Sequence, residues 1–188
     1  LIRVIAGFGS DAVAGYSIGW RVVIFGILPS VGLANAVATL VGQNLGAENP
    51  ERAEKAVWTT VFINAIIQTL VGVLFVIFAH PIVRIFTDDP NVTHFAVDCL
   101  TIVSYGFFFY GVGMVIETSF NGAGDTWTPT ILNFFVFWLF EIPLAYLLAY
   151  QFQMGPDGVF WAIFLAFSML TVVSTIVFKL GRWKLKKV

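Results

Sequence analysis

The sequence predicts an all-α integral membrane protein, a polytopic helical bundle with about five transmembrane helices. Composition is the first reason: 59% of the 188 residues are hydrophobic and only 11% are charged, and the mean hydropathy is +0.89. A soluble domain carries about 25% charge. The second reason is the distribution of that charge. Between Lys55 and Lys179 the only basic residue is Arg84, a gap natural for helices that face lipid and hard to reconcile with a surface in water. The third is the alternation of apolar runs with short polar breaks. Hydrocarbon is crossed by about 20 apolar residues rising about 1.5 Å each, and five runs are long enough.

Leu1–Phe8 (LIRVIAGF) is too short for a signal peptide and lacks a cleavage site. It reads as the tail of an earlier helix, and the Leu start suggests a longer protein of which this is a portion. The first full span is 12–41, whose one charge is Arg21. The hinge VGQNLGAENPERA follows. Gly42 and Gly46 there are candidates for the left-handed geometry that ends a helix. Asn49 is a candidate cap, Pro50 suits the first helical position, and Glu51 favours the positive dipole end. The second span is 52–79, and Pro81–Phe86 (PIVRIF) reads as a short interfacial turn. The third is 92–119, the fourth 129–150 and the fifth 158–178. Asp89-Pro90 and Thr128-Pro129 repeat the cap-then-proline pattern, and Asp157 is the expected cap of the last span. No low-complexity linker or soluble domain interrupts the series.

Orientation follows from the loops. Segments 42–55, 121–128 and 179–188 hold two, zero and five Lys or Arg, seven of the ten in the chain. The basic tail 179–188 is therefore expected in the cytoplasm, with Trp183 at the membrane interface. One cysteine, Cys99, permits no internal disulfide.

Each span carries a small or polar stripe. Gly15, Gly19, Gly26 and Ser30 share a face of the first, and Asn64, Gln68 and Gly72 of the second. Gly106, Tyr110, Gly113 and Glu117 line the third; Thr130, Asn133 and Glu141 the fourth; Ser168, Thr171 and Thr175 the fifth. Small residues let helices approach, and polar ones bond across helices or line water. Glu141 is the sharpest of them, near the middle of its span in WLFEIPLAY. A carboxylate at that depth costs a few kcal/mol, so it takes a proton or binds a cation. Pro143 removes one helix hydrogen bond and frees the Leu139 carbonyl, and Pro29 does the same for Phe25. Glu117 lies nearer the cytoplasmic end. Candidates for ion coupling or a substrate cavity are thus Glu141, Glu117, Tyr110, Asn133, Asn64 and Gln68, with Pro29 and Pro143 as candidate kinks.

Other chemistries find little support. Asn121–Asp125 (NGAGD) resembles a phosphate-cradling loop, but no Lys follows and no strand precedes it; it reads as a helix end and loop. His80 and His94 share one outer loop without specific metal spacing, so no metal is assigned. No nucleophile–base constellation suggests an enzyme, and the short basic tail is a topology anchor rather than a nucleic-acid surface.

The turn VGQNLGAENPERA, the upstream AGYSIGWRVVIFGILPSVGLANAVATL, and FNGAGDTWTP followed by EIPLAYLLA resemble the multidrug and toxin extrusion (MATE) transporters over essentially all of the chain. The motif residues are Gly42, Gln43, Asn44 and Gly46 in one turn and Asn121, Gly122, Gly124 and Asp125 in the other. The resemblance implies twelve helices in two pseudo-symmetric lobes, this chain supplying the end of helix seven and helices eight to twelve of the C-terminal lobe. It implies a multi-pass protein of the cell membrane, such as the bacterial inner membrane, with its N-terminal lobe elsewhere in the same protein. It also implies export of drugs or other organic, often cationic, compounds in exchange for Na⁺ or H⁺, with no other cofactor. Two departures stand out. Family coupling acids of this lobe commonly come from the seventh helix, of which only the end is here. Some members place an acid in the tenth helix where this chain has Tyr110, and Glu117 does not align with it. The assignment of coupling to Glu141 rests on its position in the span.

Two alternatives follow from other readings of the same helices. A lipid-linked oligosaccharide flippase of related fold needs a cavity rich in Arg or Lys for pyrophosphate, and only Arg21 approaches membrane depth. A non-transporting structural membrane subunit needs neither a mid-span Glu nor polar stripes on every helix.

Overall fold

A computed structural model describes residues 1–185. Lys186, Lys187 and Val188, the end of the expected tail, lie outside the described residues. After a short helical turn at Ile2–Ile5 and a 3₁₀ turn at Ala6–Phe8 come α1 (Ser10–Gly46), α2 (Pro50–Arg84), α3 (Pro90–Ser104) and α4 (Phe107–Gly122). They are followed by α5 (Trp127–Gln151) and α6 (Pro156–Lys179), with a last 3₁₀ turn at Arg182–Leu185. Four of these helices are long and apolar enough to cross a membrane, and five spans result if the bent pair α3–α4 counts as one. The chain is an all-helical, multi-pass membrane protein.

Several boundaries depart from expectation, each for a local reason. Gly42 and Gly46 do not end α1; it runs through Gly46, and the left-handed residue is Glu48, with φ 56°. Asn49 occupies the cap position of α2, but its side chain makes no capping bond. Asp89 does cap α3, accepting from the amides of Asn91 and Val92. Thr128 is not a cap but lies inside α5, where its amide and hydroxyl donate to the Asp125 carboxylate at 3.4 and 2.8 Å. Asp157 sits in the first turn of α6, whose cap position is Gly155 at φ 61°. Pro81 continues α2 to Arg84 beyond a non-helical Phe78, so the expected turn is confined to Ile85 and Phe86.

The third span is not one straight helix. α3 ends at Ser104, α4 restarts at Phe107, and the two are bent by 56°. The Gly106 amide turns back to the Val103 carbonyl, and the Tyr110 amide to Gly106. Helix α1 passes Pro29 without a break. Around Pro143, α5 alternates α-helical winding with π-helical stretches at Phe134–Glu141 and Leu147–Gln151. A π-turn bonds to the fifth residue on, which gives the backbone room to absorb a proline that cannot donate.

Glycine sets how closely the helices cross. A Cβ on Gly15 would lie 2.9 Å from the Ala96 amide nitrogen, and one on Gly19 would lie 2.9 Å from Cys99 Cβ, so α1 and α3 meet nearly backbone to backbone. Between helices in lipid there is little hydrophobic drive, and van der Waals packing and interhelical hydrogen bonds hold the bundle. At the end that carries the motif turns, Val41, Val57, Phe120, Phe178 and Trp183 form a buried cluster. Trp183, expected at the membrane interface, is packed into the protein: it is 1% exposed, stacked on Phe178 at 4.7 Å and donates its indole N–H to the Phe178 carbonyl at 3.0 Å.

Candidate functional site

Three of the predicted residues converge. The α4 stripe carries Tyr110 and Glu117 along one face, and α5 begins with Pro129 and Asn133 directly opposite. Together with Gly113, Asn121, Phe167 and Thr171 they line a cavity of about 220 Å³. Gly113 leaves α6 room to bring Thr171 against α4, where its hydroxyl donates to the Phe109 carbonyl at 2.7 Å. Tyr110 stacks on Phe167 with ring centroids 3.8 Å apart. It is 5% exposed, and its hydroxyl has no hydrogen-bond partner among the described residues.

The Glu117 carboxylate in this cavity is loosely held. Asn133 Nδ2 lies 3.4 Å from each of its oxygens, beyond the usual 2.7–3.2 Å for such bonds. The same amide makes its firmer bond to the Pro129 carbonyl, at 2.8 Å. A partly buried carboxylate with slack contacts, amides and a hydroxyl beside it, and an aromatic wall is an arrangement able to receive a cation or a proton. Among the described residues, no Lys or Arg lines the cavity.

Glu141 lies elsewhere. It is 6% exposed, among the electrostatic neighbours of Tyr16 and Tyr110, and is not part of that cavity wall. Tyr110 thus lies in the Glu117 cavity and within electrostatic range of Glu141. Thr130 does not share the face of Asn133 and Glu141: it is exposed, and its hydroxyl bonds back to the Thr126 carbonyl at 2.7 Å.

Asn64 and Gln68 are buried in a separate network that ties α1, α2 and α4. Ser30 Oγ donates to Asn64 Oδ1 at 3.0 Å, and Asn64 Nδ2 to the Gly111 carbonyl at 2.8 Å. Gln68 Nε2 donates to the Gly26 carbonyl at 3.1 Å and to Ser30 Oγ. These are bonds across helices.

The motif turns meet at one end of the bundle. A Cβ on Gly42 would sit 3.2 Å from the Gly122 carbonyl oxygen, and one on Gly122 would sit 2.7 Å from Ala38 Cα. Gln43 and Asn44 belong to the last turns of α1, where Asn44 bonds back to the Leu40 carbonyl at 2.7 Å. Gly124, at φ 73°, makes the tight exit from α4, and Asp125 then holds the start of α5. At the opposite end a larger cavity, about 580 Å³, is lined by His80, Arg84, Asp88 and His94, among others, with His94 Nδ1 at 2.6 Å from Asp98 Oδ2. The residue that sequence reasoning missed is Thr171 as a wall of the Glu117 cavity. Its pairing with Gly113 was visible only as two small-residue stripes.

The sequence matches the MatE family over residues 1–147. It is 27% identical over 180 residues to a "Probable multidrug resistance protein NorM" of Thermotoga maritima, covering 96% of this chain and 39% of that protein. It is 30% identical over 155 residues to "Protein DETOXIFICATION 17" of Arabidopsis thaliana, covering 82% of this chain and 32% of that protein. The fold superposes on the MATE transporter ClbM, solved in complex with Rb⁺, with a TM-score of 0.91 at 24% identity, over 100% of this chain and 44% of that one. An outward-facing multidrug resistance MATE family transporter gives a TM-score of 0.89 at 24% identity, over 100% and 42%. The chain thus spans about a third to under a half of the length of these relatives.

Proposed function

The chain belongs to the MatE family of transporters, and we propose that it forms the C-terminal lobe of a secondary antiporter exporting drugs or other organic, often cationic, compounds. Helices α1 to α6 then supply spans eight to twelve of a twelve-helix protein, α3 and α4 counting as one. Export runs against an inward flow of Na⁺ or H⁺ by alternating access, the two lobes rocking about a central cavity. The motif turns and the basic tail lie on the cytoplasmic side, in keeping with the loop charges.

The observation that carries the coupling part of this reading is the loosely held Glu117 carboxylate in a cavity with Asn133 and Tyr110. Charge in a span is costly and marks ion pathways when it faces a cavity. Binding of Na⁺ or H⁺ neutralises Glu117 and tightens α5 against α4; release loosens that contact and biases the lobe toward its other packing. Glu141 acts as the second, deeper acid of the same lobe. The solved relative bound to Rb⁺ makes a monovalent cation a natural partner for such a site.

The test is Glu117→Gln in the full-length transporter, assayed for drug efflux against imposed Na⁺ and H⁺ gradients. Contacts to a charged group are worth roughly 1.5–3 kcal/mol, so apparent cation affinity should fall by about tenfold or more. Efflux with unchanged dependence on both gradients, at normal expression, would show that Glu117 has no part in coupling.

A further inference from the structure

One face of α2 combines cations at its start with an apolar groove further along. Taking 3.6 residues per turn, Arg52, Lys55, Thr59, Phe62, Ile66 and Leu70 fall on a single stripe. All six are exposed, Phe62 at 68% and Leu70 at 60%. Phe62, Ala65, Ile66, Thr69 and Leu70 of α2, with Phe108 of α4, enclose a groove of about 270 Å³. Its walls run along some 12 Å of helix, from the 1.5 Å rise per residue.

The end of α6 adds charge at the head of this stripe. Lys179 Nζ lies 5.8 Å over the Trp58 ring, one turn from Lys55. The tail is held there: Lys184 Nζ pairs with Glu54 at 2.5 Å, and Trp58 packs edge-on against Phe178 at 5.8 Å. With Glu54 paired in this way, the head of the stripe presents Arg52, Lys55 and Lys179, all exposed.

We propose that this stripe binds one anionic phospholipid, its phosphate held by Arg52, Lys55 and Lys179 and one acyl chain lying in the Phe62–Leu70 groove. Cations at a membrane surface each attract anionic headgroups, and a hydrocarbon chain suits a groove with almost no polar wall. The charge and the groove lie along one helix in the order headgroup then chain, as a lipid in a leaflet does. The site requires only that α2 cross the membrane and is independent of what the protein transports.

The experiment uses the full-length transporter purified in neutral detergent. Native mass spectrometry counts retained phosphatidylglycerol against phosphatidylcholine, and a photoactivatable phosphatidylglycerol maps the labelled residues. Retention of phosphatidylglycerol over phosphatidylcholine is expected, with labels on 62–70. Arg52→Gln with Lys55→Gln should lower that retention about thirty-fold, the equivalent of about 2 kcal/mol for two surface cations. Ile66→Ser, which leaves the cations in place, should weaken both lipids alike. Equal retention of the two lipids by the unaltered protein overturns the proposal, as does an Arg52→Gln, Lys55→Gln protein that keeps its preference. Displacement of the lipid by millimolar glycerol phosphate would mean that only a phosphate is read, and would also overturn it. So would absence of label from 62–70 together with cysteine cross-links from Phe62→Cys to the other lobe, because that face would then be covered by protein.

Discussion

Gly42 and Gly122 lie face to face, close enough that a Cβ on the first would stand 3.2 Å from the carbonyl oxygen of the second. One belongs to the GQNLGA turn and the other to NGAGDT, so two motifs 80 residues apart form one contact. Each needs glycine because the ends of α1 and α4 cross with their backbones touching.

Gly122→Ala should therefore be costly even though the residue is helical and alanine favours helix. Its methyl would press on the backbone of Ala38, 2.7 Å from the Cα, which cannot swing aside as a side chain can. Overpacking of this kind costs about 1–3 kcal/mol. Thermal unfolding of the full-length protein in detergent should show a lowered midpoint, and an unchanged midpoint would mean the helices are free to separate here.

The buried amides can be separated from the cavity by experiment. Asn64→Ala removes the bond accepted from Ser30 and the bond donated to Gly111. Interhelical hydrogen bonds in membranes average about 0.6 kcal/mol and reach about 1.7, so a loss of roughly 1–2 kcal/mol in stability is expected. Ion dependence of efflux in the surviving protein should be that of the parent. A changed dependence would move Asn64 from packing to coupling.

Glu141→Gln and Tyr110→Phe examine the deeper acid. Both changes keep side-chain shape, and Tyr110→Phe keeps the stack on Phe167. With Glu141 as second acid, the glutamine variant should shift or abolish ion-coupled efflux at normal expression. Tyr110→Phe should alter the Glu117 cavity as well, since that hydroxyl is buried without a partner. Wild-type pH and Na⁺ profiles in Glu141→Gln would leave this residue as a buried structural carboxyl.

The C-terminal turn offers a stability test outside the spans. Trp183→Ala removes a fully buried indole and should cost about 3–5 kcal/mol locally, releasing the segment. Lys184→Gln breaks a partly exposed ion pair with Glu54 and should cost about 1 kcal/mol or less. Limited trypsin digestion at Arg182 and Lys184 should accelerate strongly in the first variant and little in the second. Equal cleavage of parent and Trp183→Ala would contradict the packing.

The all-helical, membrane-crossing fold was legible because hydrocarbon leaves so few options: apolar length predicts a crossing, and Asn64 or Gln68 within it must find partners, while Thr130 falls off the face of its stripe. Helix ends were harder. Gly42 and Gly46 look like stop signals, but Gly42 gives space for the crossing with Gly122, and the left-handed turn falls to Glu48. Thr128 looks like a cap because it precedes proline, while Asp125 reaches both its amide and its hydroxyl. The bend at Gly106 has no proline or charge to announce it. Trp183 was placed at the interface by its amphipathic ring, which cannot reveal that Phe178 folds back beneath it. Glu141 drew attention through depth alone, and a stripe cannot say that Glu117 is the acid opposite Asn133.

The bend between α3 and α4 gives one crossing two axes. A straight helix presents its neighbours along a single line. Here the half with His94 and Asp98 near its start meets the half that carries Glu117 at a 56° elbow. The axis of α3 does not continue that of α4, so the half packed on α1 through Gly15 and Gly19 and the half that sets Glu117 opposite Asn133 point in different directions. The third span is an angle rather than a rod.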